Sequence, residues 1–165
     1  MPRRRCWWSE TVRSAATAAV VGTDFSAASA KALNVAASLF PDASVELAHC
    51  YLPVFPGRVE AETGRQYAVS QAQAEMAAFL ARPDVAPLRS RLQERLVDGH
   101  PARALSALAC EPPHGLIAIG AHGAGGFIRA SIGGRASDIL TTATCDVLVV
   151  RSAGRQGFAG EAPKH

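Results

Sequence analysis

The chain has 165 residues, 48% of them hydrophobic and 19% charged, which suits one buried core and leaves too little length for two comfortable domains. Its formal charge of +3 argues against a nucleic-acid-binding face, because Arg3, Arg4, Arg5 and Arg13 form a basic tail and no later Arg/Lys row interleaves with aromatics. No segment approaches the ~20 apolar residues that span a bilayer.

Residues 1–15 read as that basic tail. With the apolar stretch 15–21 and the small residues 26–30 they loosely imitate an export signal, but Glu10 and Asp24 interrupt the pattern and the apolar part is short. A cytoplasmic location is expected. Cys6, Cys50, Cys110 and Cys145 are too widely spaced for a CxxC pair or a Cys/His cluster, so reduced thiols and no structural metal are expected. Cys50 and Cys110 fall in apolar segments, where Cys packs as a small hydrophobe.

The apolar run 16–23 ends in Gly22-Thr23-Asp24, as a buried parallel strand would. Ser26 can cap a helix over 27–40 whose apolar face carries Ala28, Ala32, Val35, Ala36 and Leu39. Pro41-Asp42 stops it. A second strand is predicted over 44–51, then a loop marked by Pro53, Pro56 and Gly57. Strong helix formers place a helix over 64–81, halted by Pro83. The more polar stretch 88–97 reads as a third strand towards a sheet edge. Gly99-His100-Pro101 puts proline at the first helical position of a short amphipathic helix bearing Leu105, Leu108 and Ala109, which Pro112-Pro113 ends. The apolar run 116–119, a glycine-rich loop from Gly120 to Gly134, a helix over 135–142 and a strand over 146–150 complete the alternation. That order implies a parallel sheet with helices on both faces. Residues 152–165, with Gly, Pro and Gln, read as a flexible tail.

The chemistry concentrates in the loop Gly120-Ala121-His122-Gly123-Ala124-Gly125-Gly126-Phe127-Ile128-Arg129-Ala130-Ser131-Ile132-Gly133-Gly134. Glycines let the backbone approach a ligand closely, and free N–H groups at the following helix start favour an anion such as phosphate. A flexible connection is the competing reading. The better-known phosphate loops are excluded: no Gly-Lys-Ser/Thr ending is present and no GxGxxG follows the first strand. A GxSxG elbow is excluded as well, since Arg129 stands where Ser131 would need its first glycine.

The loop resembles the universal stress protein family, whose nucleotide-binding members carry G-x2-G-x9-G-[S/T]. Gly120, Gly123 and Gly133 match at that spacing, and Gly134 replaces the final hydroxyl residue. Val20-Val21-Gly22-Thr23-Asp24-Phe25-Ser26, Leu47-Ala48-His49-Cys50, Gly99-His100-Pro101 and Cys145-Asp146-Val147-Leu148-Val149-Val150 extend the likeness in family order over 16–151. The resemblance implies a single α/β domain over those residues, Rossmann-like and similar to adenine nucleotide hydrolases, with a five-stranded parallel sheet of order 3-2-1-4-5. Its topological switch point lies between the first and fourth strands, where open α/β sheets bind ligands.

By the same resemblance the ligand is ATP or another adenine nucleotide, with or without magnesium. Asp24, preceded by Thr23, would meet the ribose hydroxyls, and the backbone of Cys50 the adenine edge. Gly120, Gly123, Gly133, Gly134 and the Arg135 N–H would line the ribose and phosphates, with His122 beside them. Each role has a plainer counterpart: Asp24 as a helix cap, His49 as a sheet-end histidine, and His122, Arg129 and Arg135 as solvated residues. The chain offers no activated nucleophile, paired carboxylates or metal cluster, so a stress-response sensor or regulator is favoured, with at most weak ATP hydrolysis. The alternatives are a nucleotide-free dimeric interaction module, which Gly134 motivates, and a slow ATPase. The expected partners are a second copy paired through strand 146–151 and an unidentified regulatory protein, with neither nucleic acid nor membrane.

Overall fold

The computed structural model describes residues 18–52, 61–111, 114–121 and 132–151. Both predicted tails, the Pro53–Gly57 loop markers, and His122, Gly123 and Arg129 lie outside the described residues. The elements are β1 (Ala18–Gly22), α1 (Ala27–Leu39), β2 (Ser44–Tyr51), α2 (Ala61–Leu80), a 3-10 turn (Ala86–Arg91), β3 (Leu92–Asp98), α3 (Pro101–Cys110), β4 (His114–Gly120), α4 (Gly134–Thr142) and β5 (Asp146–Val150). All neighbouring strands pair in parallel, in the order β3-β2-β1-β4-β5.

Strand β1 is the axis of the sheet. Ala18, Ala19, Val20 and Val21 are all buried, as a central parallel strand covered on both faces requires. Successive side chains point to opposite faces and divide the core. Val21, Leu47 and Ala118 pack with Leu33 of α1 and Met76 and Phe79 of α2. On the other face Val20, Ala48, Ile117 and Ile119 pack with Leu105 and Leu108 of α3 and Ile139 of α4. After β3 the chain crosses back to the far side of β1 to form β4, and this reversal opens a crevice between β1 and β4 at their carboxyl ends.

Three local expectations need correction. The buried face of α1 carries Ser29, Ala30, Ala32, Leu33, Ala36 and Ala37, whereas Ala28, Val35 and Leu39 are only half-buried. In an alanine-rich helix several faces are equally apolar, so the position of Leu33 decides which turns inward. Residues 88–91 belong to the 3-10 turn and not to β3. Pro87 stands at the start of that turn, and Arg91 at its end donates to the Phe40 carbonyl at 3.1 Å and to those of Ala37 and Ala43 at 3.4 Å. Leu88 is apolar because it packs against the core. Cys110 is exposed at the end of α3, its Sγ 3.3 Å from Thr144 Oγ1, and does not pack as a core hydrophobe.

Strand β3 is an edge strand, as its polarity implied. Its Arg95 pairs with Glu46 at 3.2 Å and Glu111 at 3.6 Å, and its Glu94 pairs with Arg89. Charges of this kind discourage further pairing at an edge. The opposite edge, β5, presents half-buried Val147, Leu148 and Val149.

Candidate functional site

The site begins with the turn that leaves β1. Thr23, 8% exposed, uses every polar group it has. Its N–H donates to the Ala48 carbonyl at 2.9 Å, and its own carbonyl lies 2.9 Å from His49 Nδ1. Its hydroxyl accepts the Phe25 N–H at 2.9 Å and meets Ser29 Oγ at 3.0 Å. Ser29 Oγ already donates to the Ser26 carbonyl at 2.9 Å, so Thr23 is the donor in that pair. One threonine therefore joins β1, β2 and the first turn of α1.

Asp24 follows at the rim. Its Oδ1 accepts from the Ser26 N–H at 3.2 Å and from the Ser26 hydroxyl at 2.6 Å. Ser26 Oγ in turn accepts the Ser29 N–H at 3.2 Å, as the N-cap of α1. The carboxylate thus supports the Ser26 cap, without being the cap itself, while lining the crevice. Phe25 has φ +62°, a left-handed backbone that bulky residues rarely adopt.

Glycines shape the opposite wall for unlike reasons. A Cβ on Gly120 would lie 2.8–2.9 Å from the backbone and Cβ of Ala28. Bare backbone is therefore needed where α1 crosses the end of β4. A Cβ on Gly22 would lie 2.7 Å from Leu105 Cδ1. Gly134 faces open space. The ends of the glycine-rich loop are tied together: Ala121 N–H donates to the Val150 carbonyl at 2.9 Å, and Gly133 N–H to the Ala121 carbonyl at 2.8 Å. Helix α4 then starts at Gly134 with Gly133 as its N-cap, without a side-chain cap. Gly134 and Arg135, which line the crevice, thus begin α4 with no side chain capping their N–H groups, at the positive end of the helix dipole.

These walls enclose about 550 Å³, within the range of small-molecule sites. Thr23, Asp24, Cys50, Gly120, Gly133, Gly134 and Arg135 all line this space; His122 and Gly123 lie outside the described residues. Sequence reasoning missed the apolar floor. Leu105, Ile119, Ala136 and Ile139 supply it, with Pro101 at its margin. The amphipathic spacing of α3 showed Leu105 to be inward-facing, but only the fold shows that this face reaches the crevice. Burial pushes the Cys50 thiol up to about 11, so it stays protonated at neutral pH and is a poor nucleophile. Among the described residues, no group of three or more His, Cys, Asp or Glu side chains could hold a metal, and no helix is long and apolar enough to cross a membrane.

The geometry is that of a parallel α/β domain with a crevice at its topological switch point. The family model of the universal stress protein family matches residues 17–151, and the chain belongs to that family. Hypothetical protein MJ0577, a test case for structure-based assignment of biochemical function, is similar in fold, with TM-score 0.70, 18% identity and coverage of 85% of this chain and 99% of that one. So is universal stress protein UspA from Lactobacillus plantarum, at TM-score 0.63 and 23% identity, covering 82% and 97% of the two chains. A universal stress protein solved in complex with cAMP gives TM-score 0.51 and 25% identity, with 83% and 98% covered. No curated protein gives a significant match.

The two glycines at the crevice should respond in opposite ways to a methyl group. Gly120→Ala drives a Cβ into the Ala28 backbone and should cost about 1–3 kcal/mol, the usual range for overpacking. Gly134→Ala meets nothing and should be neutral or stabilising by about 0.4–1 kcal/mol through the unfolded chain. Urea denaturation of both variants checks this; equal losses would contradict the close-approach argument.

Proposed function

We propose that this protein binds an adenine nucleotide, ATP or a close relative, in the crevice between β1 and β4, and acts as a stress-response sensor or regulator. The observation that carries the reading is a convergence. An apolar floor suited to a base, a carboxylate suited to ribose hydroxyls and an uncapped helix start suited to phosphates border one cavity of about 550 Å³. The relative of 25% identity solved with cAMP supports the same ligand class.

In this reading the main chain at Cys50 meets the adenine edge and Asp24 the ribose hydroxyls, with Thr23 holding the turn beneath. Gly120, Gly123, Gly133, Gly134 and the Arg135 N–H surround the ribose and phosphates, and His122 stands on the phosphate side. A magnesium ion, where present, accompanies the phosphates. Residues 16–151 form the functional unit. Ligand bound beside Gly120 and Gly134 changes the surface offered to a regulatory partner. Turnover is not part of the proposal; phosphate release above a buffer control would add it.

Gly134 favours one second reading, a nucleotide-free interaction module, because it lacks the hydroxyl of the family motif. Its Cβ position is open, so a serine fits there without strain. Titration of ATP against wild type, Asp24→Ala and Gly134→Ser separates the two readings. Loss of the Asp24 contact should weaken binding by about 1.5–3 kcal/mol, roughly tenfold to a hundredfold or more. It should also lower stability by about 0.5–2 kcal/mol, because the Ser26 cap loses its support. Gly134→Ser should tighten binding by about 0.5–1.5 kcal/mol. Binding that appears only with Gly134→Ser favours the module, and equal affinity in all three removes this crevice from the function.

The β5 edge supports a homodimer through strand 146–151. Val147, Leu148 and Val149 are half-buried on a strand that has a neighbour on one side only among the described residues, and such an edge favours pairing. Light scattering at micromolar concentration should give twice the chain mass, and Val149→Lys should halve it. A monomer unchanged by the substitution would contradict the dimer.

A further inference from the structure

We propose that His49 is a positioning residue for Asp24, an inference that rests on the ribose role given to Asp24 above. His49 lies at the end of β2, next to Cys50 but directed to the other face of the sheet, where it stacks on Phe25 with ring centroids 4.2 Å apart and an interplanar angle of 24°. Phe25 is backed in turn by Phe79, at 5.8 Å and 56°. The His49 Nδ1 atom is 2.9 Å from the Thr23 carbonyl. A carbonyl can only accept, so Nδ1 carries the proton.

The histidine therefore grips both neighbours of Asp24: Thr23 through a hydrogen bond and Phe25 through a stacked ring. The second contact matters because Phe25 has φ +62°. A bulky residue stays in that region only where its surroundings over-determine it. The Thr23 hydroxyl holds the Phe25 amide at 2.9 Å from within the turn, and the His49 ring holds the side chain from the sheet. With the histidine gone, Phe25 is free to return to negative φ, and the peptide bearing Asp24 rotates with it. His49 borders the crevice at the end of β2, while Leu105 and Ile139 of the apolar floor pack in the core cluster on the other face of the sheet from Phe25. The floor's contact with a base should therefore be kept when the ring is removed.

The test uses the full chain with His49→Ala, which removes both grips, His49→Phe, which keeps a stacked ring, and His49→Asn, which keeps a donor near Nδ1. Without ligand, wild-type Phe25 should show the strong intraresidue HN–Hα NOE of a positive φ; His49→Ala should lose it, and the other two should retain it in part. Calorimetry then compares ATP with 2′,3′-dideoxy-ATP. Wild type should prefer ATP roughly tenfold or more, the ratio expected for a charged hydrogen bond. In His49→Ala the ratio should fall to about one while dideoxy-ATP affinity is kept, with partial recovery in Phe and Asn. Equal loss for both nucleotides, or an unchanged Phe25 NOE in His49→Ala, overturns the proposal. Wild type that binds neither nucleotide overturns the ribose reading, and the Phe25 NOE, which needs no ligand, still decides whether His49 sets the turn.

Discussion

A buried threonine at the end of a central strand has a desolvated hydroxyl and two desolvated peptide groups to satisfy, and Thr23 satisfies them by joining three elements. Its N–H and carbonyl are fixed on β2 through Ala48 and His49, and its hydroxyl is shared between Phe25 and Ser29 of the α1 entry. The direction in which α1 leaves the sheet, the left-handed conformation of Phe25 and the location of Asp24 at the rim all follow from this node. An aliphatic residue of similar size would take the acceptor from the Phe25 amide and leave the Ser29 hydroxyl only its bond to the Ser26 carbonyl.

The second constraint is steric. Helix α1 can lie across the end of β4 only because Gly120 lacks a side chain, since a Cβ there would meet the Ala28 backbone, whereas at Gly22 it would first meet the flexible end of the Leu105 side chain from α3. Helices α1 and α3 thus come to the same end of the sheet, with α4 arriving through the tie from Gly133 to Ala121. Three helix starts then surround the crevice. Ser26, supported by Asp24, caps the first, whereas neither α3 nor α4 has a side-chain cap. The uncapped ends favour an anion. A glycine needed for ligand approach and one needed for packing look alike in a motif; Gly120 is required for packing whatever the crevice holds.

Most of the fold was legible because every strand but the polar β3 carries an apolar run bounded by turn residues and three of the four helices have a clear stop, at Pro41, Pro83 and the Pro112-Pro113 pair. The family pattern of glycines added the strand order, which periodicity alone does not contain. What could not be read depended on partners distant in sequence. The buried face of α1 was ambiguous because alanine is small on every side. Leu88 looked like strand because its burial against α1 and α2 is a tertiary property, and Cys110 looked buried although its helix ends in solvent. The site divided in the same way: Asp24, Cys50 and the glycines announced themselves through motifs, while the floor of Leu105 and Ile139 and the grip of His49 on Thr23 emerge only once β2, α3 and α4 are brought together.

An adenine nucleotide in this crevice would touch stretches of chain that are far apart in sequence and meet only in the fold, which gives the account a signature. Titration of isotope-labelled protein with ATP, followed by amide chemical shifts, tests it most directly. The largest changes should fall together on Gly22 to Asp24, Ala48 to Cys50, Gly120 and Ala121, and Gly133 to Ala136, with the β3 edge from Leu92 to Asp98 unmoved. No shift at millimolar ATP, or shifts centred on β3 or the outer face of α2, would contradict the account.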